Sequence, residues 1–219
     1  MREMQLKADL HVHTVYSRDA LITPEELVFY AKKRGLGAVA VTDHDRVDGA
    51  LKIARETDFL IIPGIEVSSR NGHVVGLNVQ ESVLKGLSVD ETIDRIHEAG
   101  GLAVACHPFA FLKGSLGKHA SGRFDAVETV NASAVPFNRS VRKAEEIAGR
   151  FGLPRVAGTD AHYAPEIGYA YTLIDAESSV DAIVKAIAEG QCEPFGEPVP
   201  LRLKLEKQYQ YFKKKITGT

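Results

Sequence analysis

Asp9-Leu10-His11-Val12-His13-Thr14 is the stretch on which the reading of this chain turns. It follows a half-apolar lead-in, Met4, Leu6 and Ala8, and reads as the end of a first β-strand. Side chains alternate faces along a strand, so Asp9, His11 and His13 are expected to point the same way. Two imidazoles two positions apart on one face can hold a single metal ion. A carboxylate on that face can orient one of them through its other ring nitrogen. A lone His-x-His pair carries little weight, and its significance comes from what recurs downstream.

The rest of the chain repeats strand, loop and helix. Thr23-Pro24-Glu25-Glu26 opens a helix, with Thr as cap, Pro at the first helical position and Glu three after the cap, and Gly35 ends it. Ala38-Val39-Ala40-Val41 is a buried strand running into Thr42-Asp43-His44-Asp45. A helix over 49–56 leads to a strand over 59–62 and then to Pro63-Gly64-Ile65-Glu66. Residues 67–79 read as extended chain turning at Asn71-Gly72, a hairpin signal. Ser88 and Glu91 form a second capping pair, and Gly100-Gly101 stops that helix. Leu102-Ala103-Val104-Ala105 is a core strand ending in Cys106-His107-Pro108, followed by a loop over 109–123. A strand over 126–130, a helix over 138–151 and a strand over 155–158 lead to Thr159-Asp160-Ala161-His162. A strand over 169–174 and a helix over 180–189 follow. The tail is ambiguous. Leu201, Leu203 and Leu205 alternate as in a strand, while 209–216 suits a helix with Lys213, Lys214 and Lys215 on a solvated face.

Repeated βα units imply parallel strands with right-handed crossovers, and seven of them suggest a closed or nearly closed barrel. No Gly-x-Gly-x-x-Gly follows the first strand and no phosphate-binding loop signature is present, which argues against a dinucleotide fold or a nucleotide triphosphatase. With 219 residues the chain can bury one substantial α/β core. Its formal net charge of −2 provides no basic footprint, so no stable duplex nucleic-acid partner is expected. Cys106 and Cys192 make no disulfide framework, which points to a reducing, cytoplasmic compartment. The opening residues MREMQLKADL carry no apolar signal core, and no apolar run approaches the ~20 residues of a membrane span.

In α/β barrels the chemistry sits at the carboxyl ends of the strands. There this chain places His11 and His13, then Asp43 and His44, Glu66, His107, Asp160 and His162. Five of its eight histidines occupy strand ends, a concentration that chance placement does not produce. One ion takes four to six ligands, so the set is large enough for two or three ions. Two ions roughly 3.5–4 Å apart sharing a carboxylate can hold a hydroxide nucleophile between them at neutral pH. A phosphoester suits such a cluster, because the ions neutralise charge on the transferring phosphoryl group.

Asp9, Asp43 and Asp45 are expected to support these residues from behind. His97 reads as a surface or half-buried helix residue, His73 as a hairpin turn residue, and Cys106 as a packed thiol turned away from His107. His119, with Lys113, Lys118 and Arg123, is a candidate for substrate contact. Arg18, Arg46, Arg70 and Arg139 lie in loops beyond strand ends, where a guanidinium could grip a phosphate.

The ordered set resembles a known family. Asp-Leu-His-Val-His with Asp19 beyond it, Thr-Asp-His-Asp, Pro-Gly-Ile-Glu, His-Pro and Gly-Thr-Asp-Ala-His are similar to the motifs of the PHP (polymerase and histidinol phosphatase) family of metal-dependent phosphoesterases. The resemblance runs from Leu6 to about Glu197. It implies a distorted (β/α)7 TIM-like barrel over 1–198, with 199–219 as a tail packed on or extending from it. It also implies two or three divalent transition metal ions, Zn, Mn or Fe. His11, His13, Glu66 and Asp160 would hold the first, Asp19, His44 and His162 the second, and Glu66 with His107 the third. The segment Val127-Glu128-Thr129-Val130-Asn131 lacks the histidine that some members offer to the third ion, leaving Glu128, Asn131 or water. Asp19 stands where some relatives have His, and a harder oxygen ligand favours Mn or Fe over an all-Zn site.

The activity so implied is hydrolysis of a phosphomonoester, nucleotide or short oligonucleotide, with Glu66, Asp160 and His162 in catalytic roles. The short segment between Glu66 and His107 predicts an open cleft with modest selectivity. Two rival readings are a barrel amidohydrolase cleaving C–N bonds and a catalytically silent PHP-like binding module. The first commonly bridges its metals with a carbamylated lysine, and no strand here ends in lysine. The second would have lost ligands, whereas this set is nearly intact.

Overall fold

A computed structural model of the chain describes residues 5–111 and 114–217; Met4 and Lys113 lie outside the described residues. Its strands are β1 (Gln5–Val12), β2 (Ala38–Val41), β3 (Leu60–Ser69), β4 (Gly72–Leu77), β5 (Leu102–Ala105), β6 (Ala126–Asn131), β7 (Arg155–Gly158), β8 (Ala170–Asp175) and β9 (Cys192–Gly196). Its α-helices are α1 (Pro24–Lys33), α2 (Asp48–Glu56), α3 (Val89–Glu98), α4 (Phe137–Phe151), α5 (Val180–Ala188) and α6 (Leu201–Thr217).

Local chemistry sets the helix boundaries. At the start of α1, Thr23 Oγ1 accepts the Glu26 N–H at 3.2 Å, and the Thr23 N–H donates to Glu26 Oε2 at 3.1 Å. Ser88 and Glu91 repeat the arrangement at α3. Each such cap satisfies backbone donors that the first helical turn leaves unpaired, and its loss costs about 1 kcal/mol. α4 ends at Gly152, whose φ of +64° suits a residue without a Cβ.

All nine strands join one sheet, in the order β7-β6-β5-β4-β3-β2-β1-β8-β9. β1, β2 and β3 are parallel to one another, as are β5, β6 and β7. The (β/α)7 outline holds, with departures from the seven parallel strands expected. β4 is the return strand of the hairpin and lies antiparallel between β3 and β5. β8 runs antiparallel to β1, and β9, not foreseen in the sequence, pairs antiparallel with β8.

The sheet curls until the ends of β1 and β7 meet. The Asp160 N–H donates to His11 O at 2.7 Å and the His13 N–H to Ala161 O at 2.9 Å. Thr172 Oγ1 ties β8 to β7, accepting the Ala157 N–H at 2.8 Å and donating to Ala157 O at 3.0 Å. The result is a nearly closed barrel. Its enclosed face carries Ala8, Leu10, Ala38, Ala40, Ile62, Val75, Leu77, Leu102 and Val104, against which Ile183 and Ile187 of α5 pack. Leu27, Ile53, Ile93 and Ile96 bury the helices against the outer face. Each such side chain contributes about 1.5–3 kcal/mol on full burial.

The tail resolves as one helix, α6, from Leu201 onward. The alternation of Leu201, Leu203 and Leu205 does not mark a strand. Leu203 packs on Val130, Ala157 and Val199, whereas Leu201 and Leu205 face solvent. Among the described residues no helix is long and apolar enough to cross a membrane.

Candidate metal centre

The barrel mouth gathers residues that lie far apart in sequence. β1 carries a register shift between Asp9 and Val12, which breaks the strict alternation expected there. Asp9 therefore does not reach the His11 ring. Its Oδ1 accepts the Thr159 N–H at 2.8 Å, and its Oδ2 accepts the Gly168 N–H at 2.9 Å and the Thr159 hydroxyl. Burial pushes the Asp9 carboxyl up to about 6, against the pull of those donors. The carboxylate that orients His11 is Glu128, whose Oε1 lies 3.0 Å from His11 Nδ1. Its Oε2 accepts the His107 N–H at 2.6 Å and an Asn131 Nδ2–H at 3.0 Å. Asn131 Oδ1 accepts the Ser133 N–H at 3.1 Å. Glu128 and Asn131 are thus engaged in holding their neighbours, which corrects the expectation that either completes a third ion's ligands.

Glu66 stands at the centre, buried. Its Oε2 faces His11 Nε2 at 3.4 Å, His13 Nε2 at 3.2 Å and His44 Nδ1 at 3.2 Å. Its Oε1 faces His107 Nε2 at 2.8 Å and His73 Nδ1 at 2.9 Å. Asp160 Oδ1 lies 3.5 Å from both His13 Nε2 and His162 Nδ1, and 3.8 Å from His11 Nε2. Asp19 Oδ2 lies 3.4 Å from both His44 Nε2 and His162 Nε2. All eight residues expected at the site therefore converge.

His73 is a ninth member, which the sequence reading placed in the turn. The two-residue turn is Arg70-Asn71, one position earlier than expected, and pairs Ser68 with His73. Moving a two-residue turn by one position shifts the pairing by two residues and keeps the face, so His73 stands opposite Ser68 instead of Arg70, on the face of Glu66 and nearer to it.

The surrounding backbone and side chains fix this arrangement. Asp43 Oδ1 accepts the Thr14 N–H at 2.7 Å and the Ser17 hydroxyl at 2.9 Å, while its Oδ2 accepts the Thr14 hydroxyl at 2.6 Å. Ser17 Oγ in turn accepts the His44 N–H at 3.0 Å and lies 3.4 Å from His13 Nδ1. Asp45 Oδ1 accepts the Ser68 N–H at 2.7 Å. A Cβ at Gly158 would fall 2.4 Å from His11 Cβ, so only glycine leaves room for that imidazole. His107 and Asp160 hold positive φ, +29° and +56°, which non-glycine residues adopt only under constraint from their surroundings.

α6 reaches the same rim. Lys207 Nζ lies 2.8 Å from Glu166 Oε1, and fully buried Glu166 accepts the His162 N–H through Oε2 at 3.2 Å. The Tyr211 hydroxyl donates to Asp19 O. Neither Glu166 nor Tyr211 stands out in sequence, because each acts through a neighbour's backbone.

Other expected contacts fall elsewhere. Arg123 pairs with Asp90 and Asp94 on α3, away from the site, which corrects its proposed substrate role. Arg46 is turned to Asp48. His97 pairs with Asp125 at the surface. Cys106 is not turned away from the site: its Sγ lies 3.6 Å from Glu66 Oε1, and burial raises the thiol well above its ordinary range.

The electrostatics are those of a cation site. Burial would lower His11, but Glu128, Glu66 and Asp160 outweigh it and raise the imidazole well above its ordinary value. His13 rises to about 9 against its own burial, through Asp160 and Glu66. Burial would raise Glu66, yet His11 and the other imidazoles hold it well below the usual range. Three buried nitrogens, His11 Nε2, His13 Nε2 and His44 Nδ1, have no hydrogen-bond partner and all face Glu66 Oε2. Unpaired buried polar atoms are costly, and a shared cation would satisfy them together. Donor atoms within 4.8 Å of one another form the sets His11–His13–Asp160, His13–His44–His162, His11–Glu66–His107 and His44–Glu66–His73. Imidazole and carboxylate donors of this kind fit Zn, Mn or Fe. They border a cavity of about 320 Å³ lined by Asp19, His44, Glu66, His73, His107, Gly114, Asp160 and His162.

Comparison with known proteins agrees with this picture. Residues 138–192 match the family model described as PHP-associated. The chain is similar to the uncharacterized protein MJ1587 of Methanocaldococcus jannaschii, 37% identical over 141 residues, covering 58% of this chain and 82% of that protein. It is similar to the 5'-3' exoribonuclease Rnm of Salmonella typhimurium, 42% identical over 81 residues. That match covers 32% of this chain and 27% of the exoribonuclease. In fold it is similar to a two-domain protein of Bacteroides vulgatus containing a predicted PHP-like metal-dependent phosphoesterase. The TM-score is 0.70 at 18% identity, covering 89% of this chain and 65% of that one.

Proposed function

The chain belongs to the PHP family, and on that premise we propose that it is a metal-dependent phosphoesterase acting on a nucleotide or short oligonucleotide. The observation that carries this reading is the convergence, on one oxygen of Glu66, of three imidazole nitrogens that make no hydrogen bond. The similarity to an exoribonuclease supports the nucleotide class of substrate.

Three adjoining seats are proposed. His11, His13, Glu66 and Asp160 form the first, Asp19, His44 and His162 the second, and Glu66, His73 and His107 the third. Divalent ions held there would supply Lewis-acid polarisation of the phosphoryl oxygens and neutralise their charge. The chain's own groups do the rest. Glu66 presents one oxygen to each of two sets of imidazoles and keeps the seats in register. Asp160 and His162 line the cavity, where Asp160 accepts a proton from attacking water and His162, its Nδ1 held by the Asp160 carbonyl, keeps Nε2 turned to the second seat. Among the described residues the cavity wall holds three carboxylates and no lysine or arginine, and these groups favour an anionic substrate only when cations are present.

Elemental analysis of the purified protein, followed by a screen with Mn, Zn or Fe, tests the reading. Phosphomonoesters, bisphosphorylated nucleotides and short oligonucleotides are the test substrates, with amides as the control class. Stoichiometric transition metal and cleavage of a nucleotide or oligonucleotide phosphoester are expected. A metal-free protein that cleaves none of them with any ion added would overturn it.

A further inference from the structure

α6 is an amphipathic helix whose apolar stripe faces outward. Leu201, Leu205, Tyr209, Phe212 and Ile216 are 62–72% exposed. Residues three and four apart share a helix face, so these five form one line along its length. The opposite face, with Leu203, Lys207 and Tyr211, is the one fastened to the barrel. An exposed row of large apolar side chains on an anchored element marks an interaction surface.

The spacing identifies the occupant. Leu205, Tyr209, Phe212 and Ile216 recur at four, three and four residues, the narrow seam of a helix pair rather than the broad face of a helix lying on a bilayer. Charge fixes the direction. Glu206 and Lys213 border the seam on one side, Gln208 and Lys215 on the other. Parallel pairing would set Lys213 beside the partner's Gln208 and leave Glu206 without a lysine. Antiparallel pairing sets Glu206 beside the partner's Lys213 twice, by the two-fold axis. It also stacks Tyr209 on the partner's Phe212 and Leu205 on the partner's Ile216. Arg202 now holds Glu206 at 2.7 Å, an exposed ion pair that rearranges at little cost.

We propose that α6 pairs with α6 of a second copy, antiparallel, to form a two-fold symmetric dimer. Light scattering and sedimentation of the full, metal-loaded chain are expected to give twice the mass of one chain. Leu205→Glu and Phe212→Glu are each expected to give monomers with unchanged circular dichroism and metal content, since both residues are exposed. Glu206→Lys is expected to weaken dimerisation about tenfold, and adding Lys213→Glu to restore it. The proposal fails if the chain is monomeric at every concentration, if the dimer survives Leu205→Glu, or if the double reversal does not restore pairing. It fails equally if the chain is a monomer that sediments with anionic phospholipid vesicles.

Discussion

Nδ1 of His73 lies 2.9 Å from Oε1 of Glu66, although the two residues stand on different strands of a hairpin. The hairpin therefore brings an imidazole to the buried carboxylate from the side opposite His11 and His13. Glu66→Ala is expected to abolish stoichiometric metal binding, because all three proposed seats touch it or its neighbours. His73→Ala is expected to lose one equivalent and keep the rest. Elemental analysis of both variants decides, and equal metal content in the two would deny Glu66 its shared position.

Glu128 touches no proposed ion but holds His11 and the His107 backbone. Glu128→Gln keeps its size and removes the charge that fixes the His11 tautomer. Metal affinity is expected to fall roughly 10–100-fold, with the fold retained. A titration showing unchanged affinity would mean that packing alone sets the His11 ring.

His13 is raised to about 9 in the folded, metal-free chain, from 6.5 when unfolded. Its ion pairs with Glu66 and Asp160 therefore stabilise the fold fully below pH 6.5, and that contribution is lost as pH rises through 9. Metal binding needs the neutral imidazole, so it strengthens over the same window. In thermal melts, chelator-treated protein is expected to lose stability from pH 6.5 to 9, while the increment given by added Mn or Zn grows. An increment flat across that window would contradict proton–metal competition.

Lys207 neutralises Glu166, which is wholly buried beneath the His162 loop. Lys207→Met leaves that carboxylate uncompensated, and a loss of about 3 kcal/mol is expected in denaturant unfolding. Adding Glu166→Gln should recover part of it. Unchanged unfolding in the single variant would show that Glu166 does not depend on Lys207 for its charge compensation.

Much of the barrel was legible because its signals are local. The capping residues at Thr23 and Ser88 and the apolar run at Ala38 each set their own element, and the structure has them where they were read. The eight polar residues at strand ends were legible because strand register carries them to one rim. What escaped depends on non-local geometry. The hairpin turn falls one residue earlier than Asn71-Gly72 suggests, and that step sets His73 opposite Ser68 instead of Arg70, nearer to Glu66. The bulge in β1 redirects Asp9 to Thr159 and leaves His11 to Glu128. α6 was obscured because its leucines satisfy a strand pattern locally, and only the continuation to Tyr209, Phe212 and Ile216 reveals the longer period.

Burial across the cluster is graded. Glu66 and His13 are shut away from solvent, while the Asp19 side chain is 56% exposed at the rim. An ion seated on Asp19 would trade places with the medium quickly, and one beside Glu66 only as fast as the surrounding chain loosens. The inner position would keep whatever ion it received during folding, and the outer one would follow the ambient supply.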